Sequence, residues 1–446
     1  MPSTYLTKTF GSGNRKKFTL SMWVKLSQRG TGNNNALLVS GTSGDNEGTI
    51  TFGSDYRLSW TEYKPSSGTV GNLTPSRLFR DFNAWSHLVF AWDSTNATAD
   101  DRMKIWINGV EETIFNSRTN PSQNYDAQLN HNVEHNIGRQ TWNSSGIFNG
   151  LMSHIHFCDG YCYSASDFGE TDSITGEWKI KTSPSVSYGT TGFWILKDGN
   201  TVTDQSGNSN NWTVGGGTLT KTEDNPSNVF ATLNPLFPSG NATPFTYSFG
   251  NTKISETVGV WQTTTSTLGA SSGKYYAEFK CFGNVMFAGV VDLSSTTRGV
   301  SGYNAFSSTQ VTSYGYGYYN GDGTIRYGGA ELNPYGDSYT TNDIIGVALD
   351  CDNNKLYFSK NGVWQNSGVP TSGSTGTGAM SLNTDDGRVW GFALSTEYQV
   401  AESNFGNGYF GTTAVSSAGT NASGNGIFEY DVPTGYTALS TKGLNL

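Results

Sequence analysis

The sequence predicts an all-β protein: two antiparallel β-sandwich (jelly-roll) domains joined by a loop-rich connector. Three observations carry that reading. Short runs of aromatic and β-branched residues recur along the chain, separated by clusters of Gly, Asn and Ser, the pattern of many strands and tight turns. Aromatic residues make up 13% of the chain against 14% for charged ones, so the low charge does not signal disorder. No stretch sustains helical periodicity in good helix formers. At 446 residues the chain exceeds what one core fills, about 250–300 residues, and calls for two or three domains.

Residues 1–157 read as the first sandwich. FTLSMWVKL (Phe18–Leu26) and WSHLVFAW (Trp85–Trp92) alternate over strand lengths. MKIWINGVEE (Met103–Glu112) is two short strands about Asn108-Gly109, a hairpin signal. FNGLMSHIHF (Phe148–Phe157) closes the set. In this order the four segments resemble the laminin-G/concanavalin-like jelly roll, and YSASDFGE (Tyr163–Glu170) resembles the short helix that follows that family's last strand.

Residues 158–240 read as the connector. Within it, FWIL (Phe193–Leu196) and DQSGNSNNW (Asp204–Trp212) resemble the opening strands and turn of the same jelly roll, displaced to follow it as in a circular permutation. Residues 193–214 are therefore expected to pack back on the first domain.

Residues 241–410 read as the second sandwich. GKYYAEFK (Gly273–Lys280) alternates, and MFAGVV (Met286–Val291) is a buried run. Asn320–Gly323 turns a hairpin between Tyr314–Tyr319 and Thr324–Tyr327. GKYYAEFK, DIIGVALD (Asp343–Asp350) and LYFSKNG (Leu356–Gly362), in this order, resemble the SPRY domain. Residues 411–446 read as a C-terminal extension. The opening YLTKTFGSGNRKKFTLSMWVK, the central NVFATLNPL and the closing PTGYTALSTKGLNL are similar to structural proteins of marine tailed phages, in which laminin-G-like and SPRY-like modules recur in tandem.

Charge and motifs narrow the function. The net charge is −9, and the one basic cluster, Arg15-Lys16-Lys17, opens a strand, so no nucleic-acid footprint is expected. The N-terminus has no apolar signal region and no run is long enough to span a bilayer, which predicts assembly in a reducing cytoplasm, no membrane insertion and no disulfide. Of the four cysteines, Cys158 and Cys162 lie near His154 and His156, but the spacing is a poor zinc signal and buried thiols are the expectation. His154 and His156 should face one side of their strand. His131–His135 lacks the zincin pattern and reads as a loop. Six Asn-x-Ser/Thr sites matter only on a secretory route.

Asp93, Asp100 and Asp101, in the loop after VFAW, are the candidate calcium ligands, because jelly-roll lectins hold calcium with loop carboxylates and carbonyls. Asp350–Asn354 has a similar look but reads as a hairpin turn. Hydrolysis would need two carboxylates flanking a glycosidic bond. The nearest set, Glu170, Asp172 and Glu177, is spaced wrongly and reads as a surface loop. No Gly-x-Ser-x-Gly elbow is present. The Tyr314–Tyr319 stretch reads as a strand with half its rings buried rather than a sugar platform.

The phage resemblance implies a non-catalytic virion surface protein, a head decoration or fibre or a tail appendage, assembled in the host cytoplasm. Its expected partners are other virion proteins, further copies of itself and host-surface glycans, with no cofactor unless calcium binds. The alternatives are a stand-alone carbohydrate-binding module and a glycoside hydrolase. Fold alone does not decide between them, because both sandwiches are scaffolds whose activity sits in their loops.

Overall fold

The structure is a computed structural model that describes residues 4–27, 35–41, 46–82, 84–142, 144–197, 201–237, 245–257, 259–283, 285–294, 304–306, 315–327, 330–383 and 387–445. It is all-β and divides into two compact units, Met1–Lys221 and Thr222–Leu446.

The first unit stacks two antiparallel sheets. The eight-stranded sheet runs, edge to edge, Phe115–Thr119, Gly68–Pro75, Leu58–Lys64, Glu47–Phe52, Asn35–Gly41, Glu134–Ile137, Tyr5–Thr9 and Thr213–Gly216. The six-stranded sheet runs Phe193–Ile195, Gly150–Asp159, Lys17–Leu26, Trp85–Asp93, Met103–Ile107 and Val110–Glu111. Alternation sends Phe18, Leu20, Met22 and Val24 inward against Leu38, Ile50, Trp60 and Leu73 of the facing sheet. Each such side chain contributes about 1.5–3 kcal/mol by leaving water. The Asn108-Gly109 turn has φ of 48° and 83°, the geometry of a tight hairpin. A Cβ on Gly109 would also lie 2.4 Å from the Trp178 ring.

Residues 158–192, expected as connector, cover the outer face of the six-stranded sheet. A helical turn, Ala165–Phe168, starts with a capping box between Ser164 and Asp167. Ala165, Phe168, Trp178, Val186 and Tyr188 pack with Val89 and Cys158 on that face. This is why Lys17–Leu26 is buried on both sides although its sequence alternates. Phe193–Ile195 pairs with Ile155–Phe157, and Thr213–Gly216 pairs with Tyr5–Thr7, so residues 193–216 edge both sheets.

The second unit is likewise built on two large sheets. One runs Thr246–Ser248, Lys253–Ser255, Val400–Asn404, Lys274–Cys281, Ile344–Asp350, Lys355–Lys360 and Val363–Trp364. The other runs Gln262–Thr265, Trp390–Thr396, Met286–Asp292, Gly315–Tyr319, Thr324–Tyr327 and Ala330–Pro334. Tyr275, Ala277 and Phe279 point into the core between them. The opposite row is buried as well, because Phe428, Val432 and Tyr436 lie over Tyr276, Ala348 and Tyr357. Glu278 anchors this cover: its carboxylate accepts the N–H groups of Glu429 and Tyr430, both at 2.9 Å. Thr437–Ala438 then adds a parallel strand beside Tyr275–Tyr276. Residues 411–446, expected as an extension, are thus part of this unit wherever they are described.

Asp350–Asn354 is a hairpin turn, in which the Asp350 carboxylate accepts the Asn353 N–H and Lys274 closes on it at 2.9 Å. In the Tyr314–Tyr319 stretch, Tyr316 and Tyr318 are buried core residues, and Tyr314 lies outside the described residues.

Candidate functional site

The three acidic residues of the Asp93–Arg102 loop do not converge. Asp93 ends its strand and takes Lys17 at 2.9 Å, with the Thr95 N–H and hydroxyl on the same carboxylate. Asp100 faces Arg118 at 3.3 Å and accepts from Asn120. Asp101 pairs with Lys104 at 3.0 Å. The loop carbonyls of Asn96, Ala97 and Pro121 are all taken by the Arg102 guanidinium, at 2.9–3.1 Å. Protein cations thus supply the positive charge a calcium ion would bring, and the donor set does not fit a metal. Among the described residues no group of three His, Cys, Asp or Glu could hold one.

The carboxylates weighed for hydrolysis sit on an exposed hairpin, with Asp172 and Glu177 in its connecting loop. Glu170 is in the strand Gly169–Thr171, paired with Trp178–Ile180, and Asp172 is in the turn. Lys179 lies between them, 3.4 Å from Glu170 and 3.2 Å from Asp172. The N–H groups of Thr175 and Ile174, with Lys179, hold Asp172 at about 2. A carboxyl that stays ionised beside its lysine cannot act as the acid of a pair.

His87, His135, His154 and His156 are interior groups of the first unit, and His131 is partly exposed. His135, expected in a loop, lies in the strand Glu134–Ile137, where it stacks on Phe10 with centroids 3.8 Å apart. His154, with a φ of 47°, lies in a bulge between Ser153 and His156, so the strand alternation breaks there. His154 bonds Ser153, and His156 bonds the Tyr188 hydroxyl and stacks on Trp194. His87 and Ser21, 2.8 Å apart, look like a nucleophile and its base. The Trp178 indole N–H, however, donates to His87 Nδ1 at 3.0 Å. The proton is therefore on Nε2 and donated to Ser21, the reverse of what activation requires. The four cysteines are separate free thiols, and only Cys162 is exposed. Burial holds the Cys158 thiol well above its usual range.

An open polar cleft on the first unit is the better candidate. It is lined by Arg15, Lys64 and the loop Ser122–Asp126 with Gln128. Arg15 shapes it by donating to the carbonyls of Ala127 and Asp126, at 2.6 and 3.1 Å. Gln128 Nε2 reaches the Tyr125 hydroxyl, and Gln123 holds the Thr95 carbonyl. Glu62 is buried, and its carboxyl accepts the Gln128 N–H. Burial pushes Glu62 up to about 8, so at neutral pH it is mostly uncharged. The cleft then presents two cations, one carboxylate at Asp126 and a set of amide and hydroxyl groups, with a tyrosine ring among them. Such a surface suits a neutral or acidic hydroxyl-rich ligand. Sequence reasoning missed it. The polar run Ser122–Asp126 around Tyr125 was its one local signal, and Arg15 and Lys64 join it only through the fold.

Comparison with known proteins identifies two domains. A model of the concanavalin A-like lectin/glucanases superfamily matches residues 3–166, and a SPRY domain model matches residues 257–382. The chain therefore carries a concanavalin-like domain and a SPRY domain in tandem. Among curated proteins it is similar to the ATP-dependent RNA helicase DDX1 of Xenopus laevis, 32% identical over 102 residues, a match covering 23% of this chain and only 12% of that protein. Among solved structures it is similar to the SPRY domain of human HERC1, at 15% identity and TM-score 0.29, covering 37% of this chain and 96% of that one. A heptameric SAP-like pentraxin from Limulus polyphemus matches at 13% identity and TM-score 0.30, over 44% of this chain and 87% of its own. Domain 4 of the arabinanase AbnA from Geobacillus stearothermophilus, solved with arabinotriose, matches at 18% and 0.25, over 33% and 63%.

Proposed function

We propose that the chain is a non-catalytic glycan-binding protein whose sugar site is the cleft of Arg15, Lys64 and Ser122–Gln128, and that it serves on the virion surface of a tailed phage. The cleft carries the first part of this reading, because it offers many donors and acceptors and no pair of carboxyls placed for hydrolysis. The sequence likeness to tailed-phage structural proteins supports the second. In that setting the protein assembles in the host cytoplasm as a head decoration, head fibre or tail appendage. It contacts other virion proteins and further copies of itself, since virion parts occupy symmetric positions. Each sugar contact is weak, about mM to μM, and repetition on the particle raises the total. A stand-alone lectin-like module is the second reading, supported by the same cleft.

A glycan array probed with a multivalent display of the full chain tests sugar binding. Binding to a defined glycan class, lowered at least about 5-fold in Lys64→Ala and Gln123→Ala, is expected. Unchanged binding in both variants removes the cleft from the proposal. Polysaccharide-cleavage assays run beside it, and cleavage that disappears in Glu170→Ala, Asp172→Ala or Glu177→Ala overturns the non-catalytic reading. Mass spectrometry of purified virions, with labelled-antibody electron microscopy, tests the location. Absence from the particle leaves the stand-alone module.

A further inference from the structure

We propose that the second unit carries its own binding patch for an acidic sugar ring, formed by Lys253, Lys280, Phe249 and Phe282 around Glu402. The patch stands on this unit's residues alone and does not require the first unit's cleft to bind sugar.

The strand register builds it. Lys253 pairs with Glu402 across one strand boundary, and Lys280 pairs with the same Glu402 across the next. Directly paired residues share a face, so two ammonium groups flank one carboxylate on the outer side of the sheet. Glu402 takes Lys253, at 2.8 Å. Lys280 has no carboxylate partner among the described residues. Its Nζ lies 5.5 Å from the Phe282 ring centroid and 6.0 Å from that of Phe410. Lys253 Nζ lies 5.5 Å from Phe282 and 5.7 Å from Phe249. The group is therefore one negative charge short, with its cations resting on aromatic faces.

Phe249 adds a second observation. It is 40% exposed with a φ of 52°, a left-handed backbone that a bulky side chain adopts at a cost. It is not among the buried side chains of the core. Farther along the same sheet face, Phe428, Val432 and Tyr436 cover the strands, whereas this corner keeps an aromatic ring and two lysines at the surface.

The missing partner must bring an anion and a face that lies on aromatic rings. An acidic sugar does both: its axial C–H face stacks on the exposed Phe249 ring, and its carboxylate or sulfate meets Lys280, which Phe282 positions. A nucleic-acid strand would need a longer track of cations than two lysines in a chain of net charge −9.

Biolayer interferometry of the full chain on immobilised alginate, dextran sulfate, unmodified dextran and oligo-dT tests this. Binding to alginate or dextran sulfate, but not to dextran, is expected, and the two anionic arms separate carboxylate from sulfate recognition. Lys280→Gln and Phe282→Ala should each weaken it about 5- to 20-fold, with added salt weakening the wild type. Glu402→Gln, which removes the competing carboxylate, should strengthen it about 3-fold. In a Lys64→Ala background, which weakens the first unit's cleft, the losses from Lys280→Gln and Phe282→Ala should keep the same size. Wild-type binding by both Lys280→Gln and Phe282→Ala overturns the proposal. Equal binding to neutral dextran overturns it, as does tighter binding of oligo-dT. Loss of binding in Lys64→Ala alone assigns the interaction to the first unit's cleft and also overturns it.

Discussion

The tautomer of His87 is fixed by its neighbours, and this gives the first unit a dependence on pH. Trp178 can only donate, so Nδ1 must stay unprotonated. Burial lowers this histidine to about 3, below its unfolded value near 6.5. The unfolded chain therefore binds the proton more readily. The neutral ring's contribution is present above pH 6.5 and is lost as pH falls toward 3. At pH 4.5 that loss is about 2–3 kcal/mol from this residue. A glutamine can accept from Trp178 and donate to Ser21 without titrating. His87→Gln should therefore show a smaller drop in Tm between pH 7 and pH 4.5 than the wild type, by calorimetry, and an equal drop would contradict this role. The strand alternation already suggested that such histidines sit in strands. It could not show the bulge at His154, which follows from a backbone irregularity rather than from any residue pattern. Nor could it show Arg102 closing on three carbonyls, because that side chain's reach is not a property of the spacing of Asp93, Asp100 and Asp101.

At the scale of the element, the turn after Phe193–Ile195 depends on one side chain. The Asp204 carboxylate accepts the N–H groups of Trp194, Ser206 and Asn210 and the Ser206 hydroxyl, each at 2.8 Å. Asn208 and Asn210 in turn donate to the Gly192 carbonyl. The residues of DQSGNSNN thus build a carboxylate-centred turn, and the motif was legible from sequence through its likeness to a jelly-roll turn. Asp204→Ala leaves those donors without an acceptor. It should destabilise the first unit by about 2–4 kcal/mol in denaturant titration and speed hydrogen exchange at Phe193–Ile195. A change below about 0.5 kcal/mol would mean the turn is held by other contacts. The cover formed by residues 158–192 was less legible. Its apolar residues are scattered singly among Ser, Thr and Gly, so no period betrays the face they bury.

At the scale of the molecule, each unit has its own core, and the second includes its last residues. Residues 411–446 read as an extension because Gly, Ser, Thr and Asn dominate them, yet Phe428, Val432 and Tyr436 are buried. The tandem of two sandwiches was legible because each has strands with strong alternation. The tail was not, because its few anchors bind a carboxylate, Glu278, that lies about 150 residues earlier. A chain of residues 222–410 should therefore fail to fold, while residues 222–446 should give a cooperative melt. Circular dichroism of both fragments checks this, and a folded 222–410 would show that the cover is dispensable.

The strand Tyr5–Thr9 sits between Glu134–Ile137 and Thr213–Gly216, and the Thr4 hydroxyl donates to the Thr218 carbonyl, 214 positions along the chain. On the ribosome this strand emerges well before either neighbour and waits for both. At about 5–20 residues per second the second neighbour follows roughly 10–40 s later. During that interval its backbone is an open template for other nascent chains. Its sequence, Tyr-Leu-Thr-Lys-Thr, suits the delay: a lysine and two threonines in five residues make a strand too soluble to seed aggregates while it waits.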